Sequence, residues 1–463
     1  MTVVDTPAIV PAPAFAPVSA SVPESASAPS APAASLAAGH LYAAAARHAE
    51  ESERSGRLHP EVVAAMTGAG LARHFVPRRW GGAEGTFAGL VDTVAEVGAA
   101  CASTAWCGVL LAAHGRLAAH LPAEGQRELW GDSPDTRVAA AVVPPAGRLT
   151  RVPGGWTLSG EWAFASGVEH AEWVLLASLD HSGAGSGTGM GAGSGSGRGV
   201  GSGTGRGTGK GTGSASGASA APVPGAAAEA PVYRVLAVPR ERVGIRETWD
   251  AVGLRATGSH SVVIEEADAV FVPEHRTFVR EALVTGVRED EGEGVTAVRG
   301  SRVAPCHRVP YQLVAALLFA APALGAARGA LEAWTVLTGL RRLPGGRPLT
   351  EDPVVQQTLA RCAAEIDAAR LLLGAAAARA DGWTAGGADA TAIALNQRDS
   401  AVAVDLLVGA VERLMRAGGA RGLIAGGGLE RAWRDIHAIA AHAALQPAPA
   451  AAAYAATVFP SDS

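Results

Sequence analysis

Near the middle of the chain runs Gly155-Trp156-Thr157-Leu158-Ser159-Gly160-Glu161-Trp162-Ala163-Phe164-Ala165-Ser166-Gly167. Trp156, Leu158, Trp162 and Phe164 fall on one parity, and Thr157, Ser159 and Glu161 on the other. A period of two is that of a half-buried antiparallel strand, and a helix would scatter both sets around its axis. The constraint is sharp because the sequence on either side has the other period. Strand patterns occupy residues 137–273, clearest at 138–143, 156–164, 173–179, 232–238 and 261–264. Before them, residues 41–130 read as helices. One starts behind Pro60, a good first-turn residue, and stops at Gly68 and Gly70, and others fit 87–101 and 103–121. After Tyr311 long helices return: Val355, Leu359, Cys362, Ile366, Ala369 and Leu373 make one apolar stripe, and Val404, Leu407, Val411 and Leu414 another. The expected fold class is α+β, mainly α. A helical domain (41–136) precedes an antiparallel β domain (137–275) and a helix bundle (276–463), behind a Pro/Ala/Ser-rich arm (1–40) expected to be disordered.

The β domain is interrupted by a Gly/Ser-rich insert, 181–230, in which glycine occupies every odd position from 183 to 211. Loop-closure entropy grows slowly with length, so the insert reads as an enlarged hairpin connection. It contains Lys210, the sole lysine of the chain, which leaves no desolvated lysine for Schiff-base chemistry. A phosphate loop fails there as well, because Thr204 stands at its first glycine and Gly211 where Ser or Thr must ligate magnesium.

With 463 residues, 48% of them hydrophobic, the chain can bury two or three cores. A net charge of -5 with only 17% charged residues offers no basic surface for nucleic acid or acidic lipid, so small molecules and other subunits are the expected partners. Cys101, Cys107, Cys306 and Cys362 have no metal-ligand spacing, and no metal site is expected. The N-terminus lacks the pattern of a signal peptide, and the apolar run 309–334 is broken by Gln312, Pro322, Gly325 and Arg328. The expected setting is cytoplasmic.

Large aromatics at the end of a strand make a wall for a flat ring, and Ser166 is the hydroxyl at its edge able to meet a ring nitrogen. The strand is one of several ordered signals. Upstream are Arg57-Leu58-His59-Pro60-Glu61, Val76-Pro77-Arg78-Arg79-Trp80-Gly81-Gly82 and Ala102-Ser103-Thr104-Ala105-Trp106; downstream are Trp249-Asp250, Gly253-Leu254-Arg255-Ala256-Thr257-Gly258-Ser259-His260 and Trp433-Arg434-Asp435. In this order and spacing the chain resembles the acyl-CoA dehydrogenase fold, and within it the flavin-dependent monooxygenase oxygenase components of two-component systems. The resemblance implies a C-terminal four-helix bundle at the core of a homotetramer. It implies FAD or FMN as a diffusible reduced cofactor, O2 as co-substrate, a C4a-hydroperoxyflavin that hydroxylates a small aromatic, indole-like or amine substrate, and a separate NAD(P)H-dependent flavin reductase as partner.

By that resemblance Trp162 and Phe164 wall the flavin, Ser166 meets its N5, Arg255 approaches a phosphate, and His442 lies close to the ring. Trp106 and His114 contact the substrate, and His114, Ser166 and His442 form the catalytic set. His437 and His170 are weaker candidates. Two departures stand out. Phenol-hydroxylating relatives carry serines on the strand where this chain has Ala139-Ala140-Ala141, which puts a phenolic substrate in doubt. No segment after Arg434-Asp435 supplies the dehydrogenases' catalytic glutamate, so a dehydrogenase with a displaced base, Glu365 being one option, is the alternative. A non-catalytic subunit is the third reading.

Overall fold

The computed structural model describes residues 33–182, 230–285, 303–384 and 389–459. Five helices come first: α1 Ala33–Ser55, α2 Pro60–Gly68, α3 Phe87–Ala100, α4 Ala102–Ala118 and α5 Ala123–Trp130. Helix α2 starts where Pro60 demands, with His59 as its N-cap accepting the Glu61 N–H at 3.2 Å. Helix α1 includes residues 33–40, which the sequence reading placed in the disordered arm. Alanine is the best helix former, and Ala38, Leu41, Ala45 and Ala49 give the segment one buried face. The remainder of the expected arm, 1–32, lies outside the described residues, as does 183–229 of the insert.

Among the described residues nine strands follow: β1 Val138–Ala141, β2 Arg148–Val152, β3 Gly155–Ala165, β4 Trp173–Asp180, β5 Val232–Pro239, β6 Gly244–Arg246, β7 His260–Ile264, β8 Val270–Pro273 and β9 Thr277–Val279. They form two sheets, ordered β1-β4-β5-β9 and β2-β3-β7-β6, with β8 also paired to β3. Every pair is antiparallel except β1 and β4, which run parallel with Val138 opposite Trp173. Strands β4 and β5 pair without a break up to Asp180 opposite Val232, so the insert does leave from a hairpin end. Trp156, Leu158, Trp162, Val174, Leu176, Leu236, Val262 and Val272 fill the space between the sheets. The opposite face of the first sheet, with Leu175, Ala177, Val235 and Ala237, packs on Leu117, Leu121, Leu129 and Trp130 of the helical layer.

The short helices α6 Glu281–Thr285 and α7 Pro305–Arg308 lead to α8 Tyr311–Gly339, α9 Pro353–Asp381, α10 Ala390–Gly418, α11 Gly428–Ala440 and α12 Pro447–Val458. Helices α8 to α11 pack as a four-helix bundle, with α12 against α10. Their core is continuous with that of α1 to α4, which joins the two helical regions around the sheets. Helix α8 is long and apolar enough to cross a membrane, but it is the central helix of this bundle, and 78% of its most apolar window is buried there. Asp399 and Glu365 are buried between helices and paired with arginines: Asp399 with Arg379 and Arg398, Glu365 with Arg361 and Arg413.

Candidate active site

Strand β3 carries one extra residue against β7. Trp162 lies opposite Val262, yet Ala165 lies opposite His260, and Phe164 takes up the bulge with φ of +63°. A one-residue slip reverses the faces. Trp162 therefore stays between the sheets, 1% exposed, donating its Nε1–H to Ala177 O at 2.8 Å, while Phe164 turns outward, 68% exposed, edge-on to Trp249 at 6.2 Å. Trp162 is thus corrected from cofactor wall to sandwich core. Phe164 remains available as a wall, but on a different face of the strand.

The bulge delivers Ser166 to a meeting point of three elements. Its Oγ accepts the Nε1–H of Trp106 from α4 at 3.1 Å and lies 2.7 Å from Ser259 Oγ on the loop before β7. Ser259 Oγ is in turn 2.7 Å from Thr257 Oγ1, which donates to Leu254 O at 2.8 Å. That loop is clamped to α11: buried Asp435 accepts the Leu254 N–H at 2.7 Å, and Arg434 holds Val252 O and Glu53. Gly253 is required there, since a Cβ would stand 2.3 Å from Arg434 O. Burial pushes the Asp435 carboxyl up to about 7.

On the other side of Ser166 is a small cavity, about 20 Å³, little more than one water. Met66 of α2, Leu110 and Leu111 of α4, and Ala139 of β1 give it apolar walls; His114 and His170 give it imidazoles. His114 is buried with Nδ1 3.0 Å from Val138 O. A carbonyl only accepts, so Nδ1 carries the hydrogen and Nε2 is left with a lone pair. Burial lowers the His114 pKa to about 4, which keeps the ring neutral.

His442 has the opposite tautomer. It follows α11 and caps the next turn, its Nδ1 accepting the Ala444 N–H at 3.2 Å, so the hydrogen is on Nε2. Its ring stacks on Phe319 of α8 at 3.7 Å and meets Trp106 edge-on at 5.7 Å, and burial holds its pKa at about 4. Ser166, Trp106 and His442 are thereby brought into one cluster, and Ser166 with His114 around one cavity.

The remaining expectations divide. Trp106, expected against the substrate, is 7% exposed and holds Ser166 rather than lining the cavity, because its indole points from α4 toward the β3 turn. Arg255 is half-buried and occupied with Ala251 O, Glu53 and Asp250. His437 turns to Trp433 O and Glu412, away from His442. Glu365, the option for a displaced base, is a buried ion-pair member between α9 and α10. The sequence reading missed Ser259, Thr257, Phe319 and Trp249. The alternating hydroxyls of Thr257-Gly258-Ser259 were a visible signal, overshadowed by Arg255.

Comparison with known proteins extends this geometry. Residues 35–130 match the acyl-CoA dehydrogenase N-terminal domain, and 317–447 match the acyl-CoA dehydrogenase C-terminal domain. The FADH(2)-dependent resorcinol hydroxylase, oxygenase component, of Rhizobium sp. is 30% identical over 88% of this chain and 88% of its own. The chain belongs to the acyl-CoA dehydrogenase-fold flavin-dependent monooxygenases. The oxygenase subunit HsaA of Rhodococcus jostii, a flavin-dependent monooxygenase, is 28% identical over 86% of this chain and 91% of its own. The crystal structure of 3-HSA hydroxylase from Rhodococcus sp. RHA1 superposes with a TM-score of 0.73 at 26% identity, covering 92% of this chain and 96% of that one. As a flavin-dependent monooxygenase of this group the chain is an oxygenase component, working with reduced flavin and O2, and the dehydrogenase alternative is set aside.

Proposed function

We propose that this oxygenase component hydroxylates a small aromatic or indole-like ring bearing an O–H or N–H group, and that Ser166, His114 and His442 are its working residues. One observation carries the reading: Ser166 belongs both to the cavity that holds His114 and to the aromatic cluster of Trp106, Phe319 and His442. The donor set fits a reduced flavin. Ser166 would hold the N5 position and His442 would offer Nε2–H to an acceptor at the ring edge, with Phe164 and Trp249 as the exposed apolar surface beside them. Reduced flavin, when bound, supplies the two electrons with which O2 yields one hydroxyl on the substrate and one water. The chain's own residues do the rest. The apolar side chains of the cavity shed water, and the His114 Nε2 lone pair orients the one donor group, an O–H or N–H of the substrate, that a space of about 20 Å³ admits, the ring itself staying outside it. Ala139 on the same wall brings no hydroxyl to help ionise a phenol.

A separate NAD(P)H-dependent reductase is the proposed flavin source, and the proposed assembly is a homotetramer. Exposed Val336, Leu359, Leu371 and Val402 on bundle helices, with Leu340 just past the end of α8, support subunit packing. Four free cysteines, all buried, suit a cytoplasmic setting. The test is the Ser166→Ala variant, supplied with chemically reduced FMN or FAD and O2 and assayed against a panel of phenols and indoles. Hydrogen peroxide release is expected to rise at least tenfold relative to hydroxylated product. An unchanged ratio would remove Ser166 from the reaction.

A further inference from the structure

We infer that Thr257 and Ser259 are specificity-determining residues that select the redox state of the flavin, by fixing which way the hydroxyl of Ser166 points its proton. The inference rests on the proposed contact between Ser166 and flavin N5.

The chain of hydrogen bonds has two ends that allow no choice. At one end, the Trp106 indole N–H can only donate, and it does so to Ser166 Oγ at 3.1 Å. At the other, the Leu254 carbonyl can only accept, and Thr257 Oγ1 lies 2.8 Å from it. The Thr257 proton is therefore used on Leu254, so Thr257 must accept from Ser259 across 2.7 Å, and Ser259 must accept from Ser166 across 2.7 Å. Each hydroxyl has one proton, and all three are committed in one direction. Reversing any link would leave two lone pairs facing at hydrogen-bond distance, and linked hydroxyls of one polarity strengthen one another.

The consequence falls on Ser166. Its oxygen gives its proton to Ser259 and one lone pair to Trp106, and keeps one lone pair. It can take a hydrogen bond from a ligand but has none to give. Reduced flavin carries a hydrogen on N5, and oxidised flavin has a lone pair there, so the same atom position attracts the first and repels the second. The Leu254 acceptor is itself fixed, since Asp435 holds the Leu254 N–H and the residue is locked at φ of +53°. Thus the α11 clamp sets the orientation of the terminal carbonyl, and the polarity of the chain follows from it.

The experiment is an anaerobic titration of the full chain with FMN and with dithionite-reduced FMN, repeated with FAD, giving the ratio of the two dissociation constants. In Ser259→Ala the Ser166 proton loses its acceptor and becomes free to serve oxidised N5; in Thr257→Val the Ser259 proton loses its acceptor and the chain can reverse. Both variants are expected to lower the preference for the reduced form about tenfold, equivalent to a fall of about 30 mV in the potential of the bound flavin. Thr257→Ser keeps the hydroxyl and is expected to keep the wild-type ratio. Circular dichroism checks that each variant is folded. If Ser166→Ala changes the ratio while Ser259→Ala and Thr257→Val do not, the polarity proposal is wrong and the Ser166 contact stands. If Ser166→Ala itself leaves both affinities unchanged, the contact on which the inference rests is wrong.

Discussion

Two neutral imidazoles present opposite faces in this site, and the backbone decides which. His114 spends its Nδ1–H on Val138 O and offers a lone pair at Nε2; His442 uses its Nδ1 lone pair on Ala444 N–H and offers a hydrogen at Nε2. The difference can be separated by substitution, because an asparagine side-chain amide reproduces the Nδ1 position but not Nε2. His114→Asn is expected to keep the bond to Val138 O and the fold, while the Michaelis constant for the substrate rises about tenfold, roughly 1.4 kcal/mol. Steady-state kinetics at saturating reduced flavin checks this, and an unchanged constant would show that the substrate does not use Nε2. Little of this was legible in the sequence. His114 and His442 could be singled out by position, but a tautomer depends on which carbonyl or amide a neighbouring element supplies, and β1 and the turn after α11 supply them here. Trp162 and Phe164 show the converse, since one inserted residue in β3 sent them to opposite faces without altering the alternation by eye.

At the scale of elements the sequence was far more readable, because apolar periodicity is itself the record of which face is buried. Helices α2, α3 and α4 and strands β3, β4 and β5 fall where periods and glycines put them. Strands β2, β6, β8 and β9 escaped: β2 and β6 are largely exposed and leave no apolar parity to read, while β8 and β9, partly buried, span only four and three residues, too few to show a period. How closely two helices approach was also hidden, and this has a measurable consequence. Helices α3 and α8 cross at Gly98 and Gly325, where a Cβ on Gly325 would lie 2.5 Å from the Gly98 Cα and 2.6 Å from Ala95 O. Both obstacles are backbone, so Gly325→Ala must push the helices apart. A loss of about 1–3 kcal/mol is expected, read as a lower denaturant midpoint. Gly374→Ala in α9 is the control: nothing lies within 4 Å of its Cβ, and the better helix propensity of alanine is expected to stabilise the chain by up to about 1 kcal/mol. If both substitutions behave alike, the close crossing does not limit stability.

For the molecule as a whole, burying imidazoles without charging them makes stability depend on pH in a definite direction. Desolvation lowers His114, His120 and His442 to about 4 and His307 well below its ordinary value. Each of these rings binds a proton more readily once unfolded, near 6.5. Their contribution is fully present above that pH and is lost as pH falls toward 4. Asp435 has the opposite sign: its folded pKa, about 7, lies above its unfolded value, so it favours the folded state most at low pH and loses that contribution as pH rises through 7. These four imidazoles outweigh that one carboxyl between pH 4 and 6.5, and desolvation lowers His74 and His170 in the same direction, so protons are taken up on unfolding, each worth about 1.4 kcal/mol per pH unit. The denaturant midpoint is therefore expected to fall steadily from pH 6.5 to 5. His307→Leu should flatten that slope by about one proton, and Asp435→Asn, which keeps an oxygen for the Leu254 N–H, should steepen it by about one. A midpoint that does not move with pH would mean that these rings are charged, or reached by water, in the folded protein, and the neutral His114 on which substrate orientation depends would go with it.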